Sequence, residues 1–374
     1  MSALAAEYEG RWWQAMEALG VKHPDATPHA TAYVEEMVSL IAELVRRGVA
    51  YETSDGVYFS VGSVPDYGLL ARQGPGTFRA GARVEVAEEK RAPLDFALWK
   101  KAKPGEPTWP SPWGAGRPGW HTECAAMSLG LLGEDFDIHG GGVDLAFPHH
   151  ENERAQLVAL GQRPARHWVH SGWIVDPTGE KMSKSKGNFV SLEELLANAS
   201  GRAFRLPVLR AHYRSPLEVT KATVADANAA LARLDALASR FALSSDLVAL
   251  RFADAEAVGV DRDALQAFVA VMDDDLDTPS AIAQIFALTR QANHAADTAS
   301  AHRLATTVAI LCSALGLSLL PTAEEPDDES IAIVAERDAA RQARDWARAD
   351  ELRAELSRRG WTVEDGAEGT RLRR

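Results

Sequence analysis

The stretch Trp173-Ile174-Val175-Asp176-Pro177-Thr178-Gly179-Glu180-Lys181-Met182-Ser183-Lys184-Ser185 decides how the rest of the chain is read. An apolar run of strand character enters a turn built from Asp, Pro and Gly, and the turn delivers two lysines and two hydroxyls within one pentapeptide. Cations and hydroxyls on a loop beyond a strand form a clamp that suits a nucleotide triphosphate. A solvated lysine-rich loop explains any two of these residues but not the whole string in this setting, so the reading depends on its context.

That context lies upstream. Cys124 stands on or just before a predicted helix over 124–132, and His149 and Glu153 follow Pro148 at a separation of four, which puts them on one helical face. Thiolate, imidazole and carboxylate are all zinc ligands, and zinc is the borderline-soft ion that accepts such a mixture. The same stretch holds His150 and Glu151, so spacing alone leaves several pairs open. A surface helix with capping carboxylates, beside a core cysteine, is the competing reading. Gly142-Val143-Asp144 adds a weaker hint. Glycines at a strand end let the backbone approach a ligand, and a carboxylate there can accept from a ribose hydroxyl; a turn with an Asx cap explains the same residues. A cationic loop and a thiophilic ligand set on one chain point to an enzyme that activates a thiol-bearing substrate with ATP.

Composition is compatible with this. At 374 residues the chain can bury a large core and form two or more domains. A net charge of −13 argues against a generic nucleic-acid binder, but not against a large partner gripped by local basic patches. There are two cysteines, Cys124 and Cys312, too few for a disulfide framework. With no run of about 18 uncharged apolar residues and no basic-then-apolar start, a reducing cytoplasm is the expected location and no membrane contact is expected. Cys312 lies in Ala309-Ile310-Leu311-Cys312-Ser313-Ala314-Leu315 and reads as helix core.

Residues 1–50 read as helix, with apolar positions at Tyr33, Met37, Leu40, Ile41, Leu44 and Val45 and a stop at Gly48. Val57 to Val61 reads as a strand, and 62–118 as a loop-heavy inserted module around the island Phe96-Ala97-Leu98-Trp99. A strand at Phe136 to His139, a flexible turn at Gly140-Gly141-Gly142, a helix with Pro148 in its first turn and a strand from His167 to Val175 follow. This alternation predicts an α/β core with a parallel sheet. Residues 220–320 read as an Ala- and Leu-rich helical bundle. Thr322 to Asp328 reads as a linker, Ile331 to Arg359 as one long charged helix ended by Gly360, and Trp361 to Glu364 with Arg371 to Arg373 as a hairpin.

Four strings occur in one order: Gly119-Trp120-His121-Thr122-Glu123-Cys124, Asp137-Ile138-His139-Gly140-Gly141-Gly142-Val143-Asp144-Leu145, Phe147-Pro148-His149-His150-Glu151-Asn152-Glu153, and Lys181 to Ser185. This series resembles the cysteinyl-tRNA synthetases, a family of class I aminoacyl-tRNA synthetases. The likeness extends to Pro110 through Pro118, to Met272-Asp273-Asp274-Asp275-Leu276-Asp277-Thr278-Pro279 and to Ala347 through Arg353. The resemblance implies zinc ligands at Cys124, His149 and Glu153, a residue closing over bound cysteine at Trp120, a nucleotide crevice at Gly142 and Asp144, and catalytic lysines at Lys181 and Lys184, with Lys184 touching ATP. It implies ATP with Mg as substrate, L-cysteine and tRNA(Cys) as partners, one zinc per chain and a monomer.

It also implies a division into 1–118 (the remainder of an N-terminal part with an inserted connective module), 119–188 (the second half of a Rossmann-like catalytic domain), 189–235 (a stem-contact region), 236–321 (a helical anticodon-binding domain) and 329–374 (a small C-terminal tRNA-binding domain). Two rivals remain: a non-catalytic tRNA-binding fragment, and the related ligase joining cysteine to a glucosaminyl-inositol in mycothiol synthesis.

The family pattern also contains an earlier zinc cysteine and a His-x-Gly-His motif, and neither occurs in these 374 residues. The expectation is an incomplete nucleotide fold, a truncated chain and three protein ligands for zinc. Losing even one preorganised donor costs roughly 100-fold in rate, so cysteine-dependent pyrophosphate exchange by this chain should be depressed at least that far. Exchange at the ordinary rate of the family would refute the expectation.

Overall fold

The computed structural model describes residues 2–72, 89–182, 187–188, 190–197, 199–321, 327–366 and 369–373. Ser183, Lys184 and Ser185 of the signature string lie outside them, as does most of the expected linker at 322–328. The chain divides into two compact units, Met1–Ala229 with Gln266–Gln284, and Ala230–Leu265 with Ile285–Arg374.

In the first unit, the expected helix over 1–50 is two helices, α1 (Ser2–Ala18) and α2 (Val34–Arg46). Gly20 with φ +69 and the prolines at 24 and 28 separate them. Helix α2 buries Val34, Met37, Leu40, Ile41 and Leu44, the i, i+3, i+4 stripe of an amphipathic helix. Against it lies an antiparallel sheet in the order β1 (Ala50–Thr53), β2 (Gly56–Phe59), β3 (Phe96–Lys101), β4 (Gly116–Pro118). The region expected to be mostly loop thus supplies two strands, and its apolar island is an inner one. Phe59, Leu98 and Trp99 from the sheet pack with Met37, Ile41 and Leu44 in a single cluster that reaches Ala125 and Ala155.

The parallel element follows. Helix α3 (Trp120–Leu132) leads to β5 (Ile138–Gly142), α4 (Glu151–Ala159) and β6 (His167–Ser171), and β5 pairs with β6 in parallel, from Ile138 opposite His167 to Gly142 opposite Ser171. The three glycines expected to form a flexible turn are therefore strand. Pro148 does not open α4 but precedes it, after a cis Phe147–Pro148 bond. Phe147 is extended (φ −140, ψ 133), the conformation favoured before proline. The strand expected over 167–175 breaks after Ser171, where the Gly172 N–H donates to the Tyr213 carbonyl at 2.7 Å; β7 (Ile174–Val175) then pairs in parallel with β8 (Leu217–Glu218). Between them lie α5 (Leu192–Leu196) and α6 (Gly201–Arg210), and α7 (Lys221–Arg240) follows β8.

The second unit is mainly helical. It contains α8 (Ser245–Val248), parts of α7, α9 (Arg262–Asp273) and α10 (Thr278–His294), and α11 (Thr298–Ala314), in which Cys312 is fully buried. The expected long helix over 331–359 is α12 (Asp328–Gln342) and α13 (Trp346–Arg358). Arg344 adopts φ +61, which no α-helix tolerates, and the Asp345 side chain then caps α13 by accepting from the Arg348 N–H at 3.1 Å. Strands β9 (Thr362–Gly366) and β10 (Gly369–Arg373) close an antiparallel hairpin, and Leu356, Trp361 and Val363 form a small core with it. Asp345→Ala removes the cap and should cost about 1 kcal/mol. Denaturant titration of the intact chain, followed by Trp fluorescence, checks this; an unchanged transition would show that the break does not need its cap.

Candidate active site

The site is assembled at the start of α3. The Gly119 N–H donates to the Leu98 carbonyl at 2.7 Å, and a Cβ at this position would stand 2.1 Å from the Ala97 carbonyl oxygen. Only glycine lets the helix begin directly on β3. This fixes Trp120 as the first residue of α3 and Cys124 one turn further on.

The other donors come from α4 and the turn before it. Every residue from Glu151 to Leu157 is buried, although most are polar. Glu151, Asn152, Arg154 and Gln156 are held by specific polar partners, while Ala155 and Leu157 join the apolar cluster. The Tyr67 hydroxyl donates to Asn152 Oδ1 at 2.6 Å, the Leu70 N–H to Glu151 Oε2 at 2.8 Å, and the Thr122 hydroxyl to Gln156 Oε1 at 2.9 Å. Arg154 pairs with Asp66 and lies 3.5 Å from Glu151. These latches present His149 and Glu153 to α3.

Cys124, His149 and Glu153 offer ligand atoms that all lie within 4.8 Å of one another. His149 Nε2 is 2.9 Å from Glu153 Oε1. Glu153 is 1% exposed, and neither of its oxygens has a hydrogen bond of acceptable angle among the described residues. Such a carboxylate is a costly thing to bury without a cation. Burial, with the carboxylates of Glu153 and Glu123, pushes the Cys124 thiol up to about 12, so its sulfur stays protonated until a cation displaces the proton. The set of one sulfur, one imidazole nitrogen and one orphaned carboxylate fits a zinc ion, and its donors match zinc's preference. Trp120 covers this set, its ring stacked on His149 with centroids 4.0 Å apart while the residue stays 55% exposed.

The carboxylate faces two ways. Glu153 Oε2 is 3.2 Å from His139 Nε2, and His139, His150 and Glu153 form a second convergent group. His150 Nδ1 lies 2.9 Å from His170 Nε2, and His121 Nδ1 2.8 Å from His149 Nδ1. Burial first, and neighbouring imidazoles second, holds His121 down to about 4 and His150 down to about 3; burial also lowers His139 and His170. The four rings are therefore neutral near pH 7. Spacing left His149 and His150 as alternatives for a metal. In the structure His149 lies with Cys124, and His150 with His139.

The predicted nucleotide residues lie beside this cluster. Asp144 follows β5, and its Oδ2 accepts from Lys181 Nζ at 2.8 Å; that ammonium also sits 4.8 Å from the Trp173 ring centroid. The ion pair holds the Asp144 carboxyl below its usual range. A Cβ on Gly142 would stand 2.7 Å from Asp144 Oδ1, so the glycine makes room for the carboxylate. Lys184 lies outside the described residues.

Reading the sequence overlooked His121, His139, His150, His170 and Trp168 as one group. A signal was available. Trp168 and His170 alternate along β6 and so share a face, and both rings lie against His150.

Comparison with known proteins gives the family. The family described as tRNA synthetases class I (C) catalytic domain matches residues 1–229, the DALR domain family matches 267–320, and the cysteinyl-tRNA ligase anticodon binding domain family matches 325–373. The chain is 45% identical to a cysteine–tRNA ligase of Alkalilimnicola ehrlichii over 388 residues, covering 100% of this chain and 82% of that one. It is 43% identical to the enzyme of the same name from Idiomarina loihiensis, covering 96% and 78%. A solved methionyl-tRNA synthetase of Mycobacterium tuberculosis in complex with methionyl-adenylate superposes with a TM-score of 0.56 at 16% identity, over 85% of this chain and 77% of that one, which shows a shared fold. A catalytic-domain match across more than half of the chain, with relatives this similar along nearly all of it, places the protein in the cysteine–tRNA ligase family of class I aminoacyl-tRNA synthetases.

Proposed function

We propose that the chain joins L-cysteine to tRNA(Cys) with ATP, and that Cys124, His149 and Glu153 hold one zinc ion that selects the substrate. The observation carrying this reading is the buried Glu153 carboxylate, without a hydrogen bond among the described residues, beside the Cys124 thiol and the His149 imidazole. Zinc, when bound, supplies a Lewis-acid centre for a thiolate, which a serine hydroxyl does not match. Discrimination at the binding step is then large enough to make an editing domain unnecessary.

In the first step a carboxylate oxygen of cysteine attacks the α-phosphorus of Mg-bound ATP, and the bond to the β-phosphate bridging oxygen breaks. Cysteinyl-adenylate and pyrophosphate result. In the second, a hydroxyl of the terminal adenosine of tRNA attacks the activated carbonyl and AMP leaves. Negative charge shifts across the phosphates in the first step, and positioned lysines stabilise it more in the transition state than in the ground state. Lys181 exchanges its Asp144 partner for a phosphate oxygen, which leaves Asp144 free to accept from the ribose. Lys184 supplies the second cation. Trp120, stacked on His149, forms the wall that closes over the bound amino acid.

The same reading assigns 1–118 to an N-terminal part with a connective module, 119–188 to the catalytic half-fold, 189–235 to stem contact, 236–321 to a helical anticodon-side domain and 329–374 to a small tRNA-binding domain. It places a monomer in the cytoplasm; among the described residues no helix is long and apolar enough to cross a membrane. Charging is the test. The chain should attach radiolabelled cysteine, and not serine, to tRNA(Cys), and tRNA binding without any charging would favour the non-catalytic reading. Zinc held by three protein ligands should be lost to a chelator, and Glu153→Gln should weaken zinc affinity by at least about 10-fold, read by competition with a chromophoric chelator. Stoichiometric metal that survives chelation in both proteins would overturn the ligand assignment.

A further inference from the structure

One carboxylate outside the site organises both ends of the signature loop. The Asp176 N–H donates to the Glu180 carbonyl at 2.9 Å, and the Gly179 N–H returns to the Asp176 carbonyl at 2.9 Å. The Asp176 side chain then takes four more donors. Its Oδ1 accepts from the Thr178 N–H at 2.9 Å, the Thr178 hydroxyl at 2.6 Å and the Glu180 N–H at 3.0 Å. Its Oδ2 accepts from Asn188 Nδ2 at 2.7 Å, across twelve residues of sequence. Asn188 Nδ2 also approaches the Lys181 carbonyl at 3.4 Å. The entering stem is tied to the core: Val175 and Lys181 form an antiparallel bridge, and the Met182 N–H donates to the Ile174 carbonyl at 3.0 Å. The residues on either side of positions 183–186 are thus fastened to one another through a single side chain.

Core packing does not explain this investment. Asp176 and Asn188 are only half-buried, and the turn around them is exposed. The donors, Thr178 first and Asn188 next, hold the Asp176 carboxyl down to about 2, so it is ionised at any working pH and the contacts are charge-assisted. What the contacts do constrain is where the segment begins and ends. A cation that must meet a phosphate within hydrogen-bond distance gains when that restriction is made before the substrate arrives.

We infer that Asp176 is a positioning residue: with Asn188, and through the Val175–Lys181 bridge, it sets where Lys181 presents its charge to a nucleotide triphosphate. The inference rests on the reaction proposed above and adds to it a residue pair that touches no substrate.

The test is cysteine-dependent ATP–pyrophosphate exchange by the full chain, with KM measured separately for ATP and for cysteine. Asn188→Ala and Asp176→Ala should each raise KM for ATP about 10-fold, the worth of a charge-assisted hydrogen bond, and leave KM for cysteine unchanged. The exchange of both partners, Asp176→Asn with Asn188→Asp, should restore KM for ATP to within about 3-fold of wild type. In that pair the amide oxygen at 176 still accepts from Thr178 and Glu180, and its amide nitrogen donates to the new carboxylate. Unchanged KM for ATP in Asn188→Ala overturns the inference, as does a joint rise of both KM values or a swap no better than the single variants.

The unaltered chain is the control that separates the two readings. If it shows no exchange at all, catalysis by this chain falls, and the bracket is judged on tryptic cleavage after Lys181. Cleavage should then be about 10-fold faster in Asn188→Ala than in wild type, since local opening controls it, and an equal rate overturns the bracket.

Discussion

The buried carboxylate of Glu153 is the constraint on which the site depends. Each of its oxygens faces an imidazole nitrogen, His149 at 2.9 Å and His139 at 3.2 Å, yet neither makes a well-directed hydrogen bond among the described residues. Removing a carboxylate from water costs several kcal/mol unless a partner compensates. The rest of α4 is arranged around that cost. Glu151, Asn152, Arg154 and Gln156 are buried as well, but each is engaged by Leu70, Tyr67, Asp66 or Thr122. Glu151 Oε1 and Arg154 Nη1 also lack a hydrogen bond among the described residues, but they lie 3.5 Å apart as an ion pair, whereas the oxygens of Glu153 face only imidazoles. Local unfavourable burial of this kind is expected where function, rather than stability, selects the residue.

Legibility in the sequence follows from the same physics. The stripe of α2 was readable because Met37, Leu40, Ile41 and Leu44 are buried by an apolar face, and apolar periodicity is what a sequence displays. Helix α4 was readable only as a pair of residues four apart. Its burial comes from polar partners far along the chain, Tyr67 lying 85 residues from Asn152, and no local pattern encodes that. Strands β1 and β4 were missed because each is short and acquires its identity from pairing with β2 or β3. Gly140-Gly141-Gly142 looked like a turn by composition, but parallel pairing with β6 overrides the weak strand preference of glycine. The break at Arg344 was hidden because arginine gives no warning of a positive φ; the visible signal was Asp345, an acceptor placed three residues before the Arg348 N–H that it caps.

The motifs with chemistry were more legible than the fold around them. Cys124, His149 and Glu153 are close in the structure as the resemblance implied, and Asp144 meets Lys181 across 37 residues. The group of neutral histidines was less visible, since it draws on α3, β5, the turn before α4 and β6, and only the alternation of Trp168 with His170 marks it locally.

Charge explains how an acidic chain can serve an anionic substrate. The net charge of −13 is a property of the whole sequence and does not describe the charge beside Asp144. The imidazoles of His121 and His150 carry no charge near pH 7, and the ammonium of Lys181 is matched by Asp144. A cation already paired with a carboxylate attracts few stray anions, but it can exchange partners when a ligand offers both a phosphate for the lysine and a hydroxyl for the aspartate. A simple phosphate satisfies half of that requirement, and a nucleotide satisfies all of it. Under the proposed reaction the Lys181–Asp144 pair would favour a phosphate joined to a ribose, and the contacts of Asp176 and Asn188 hold Lys181 at the end of β7.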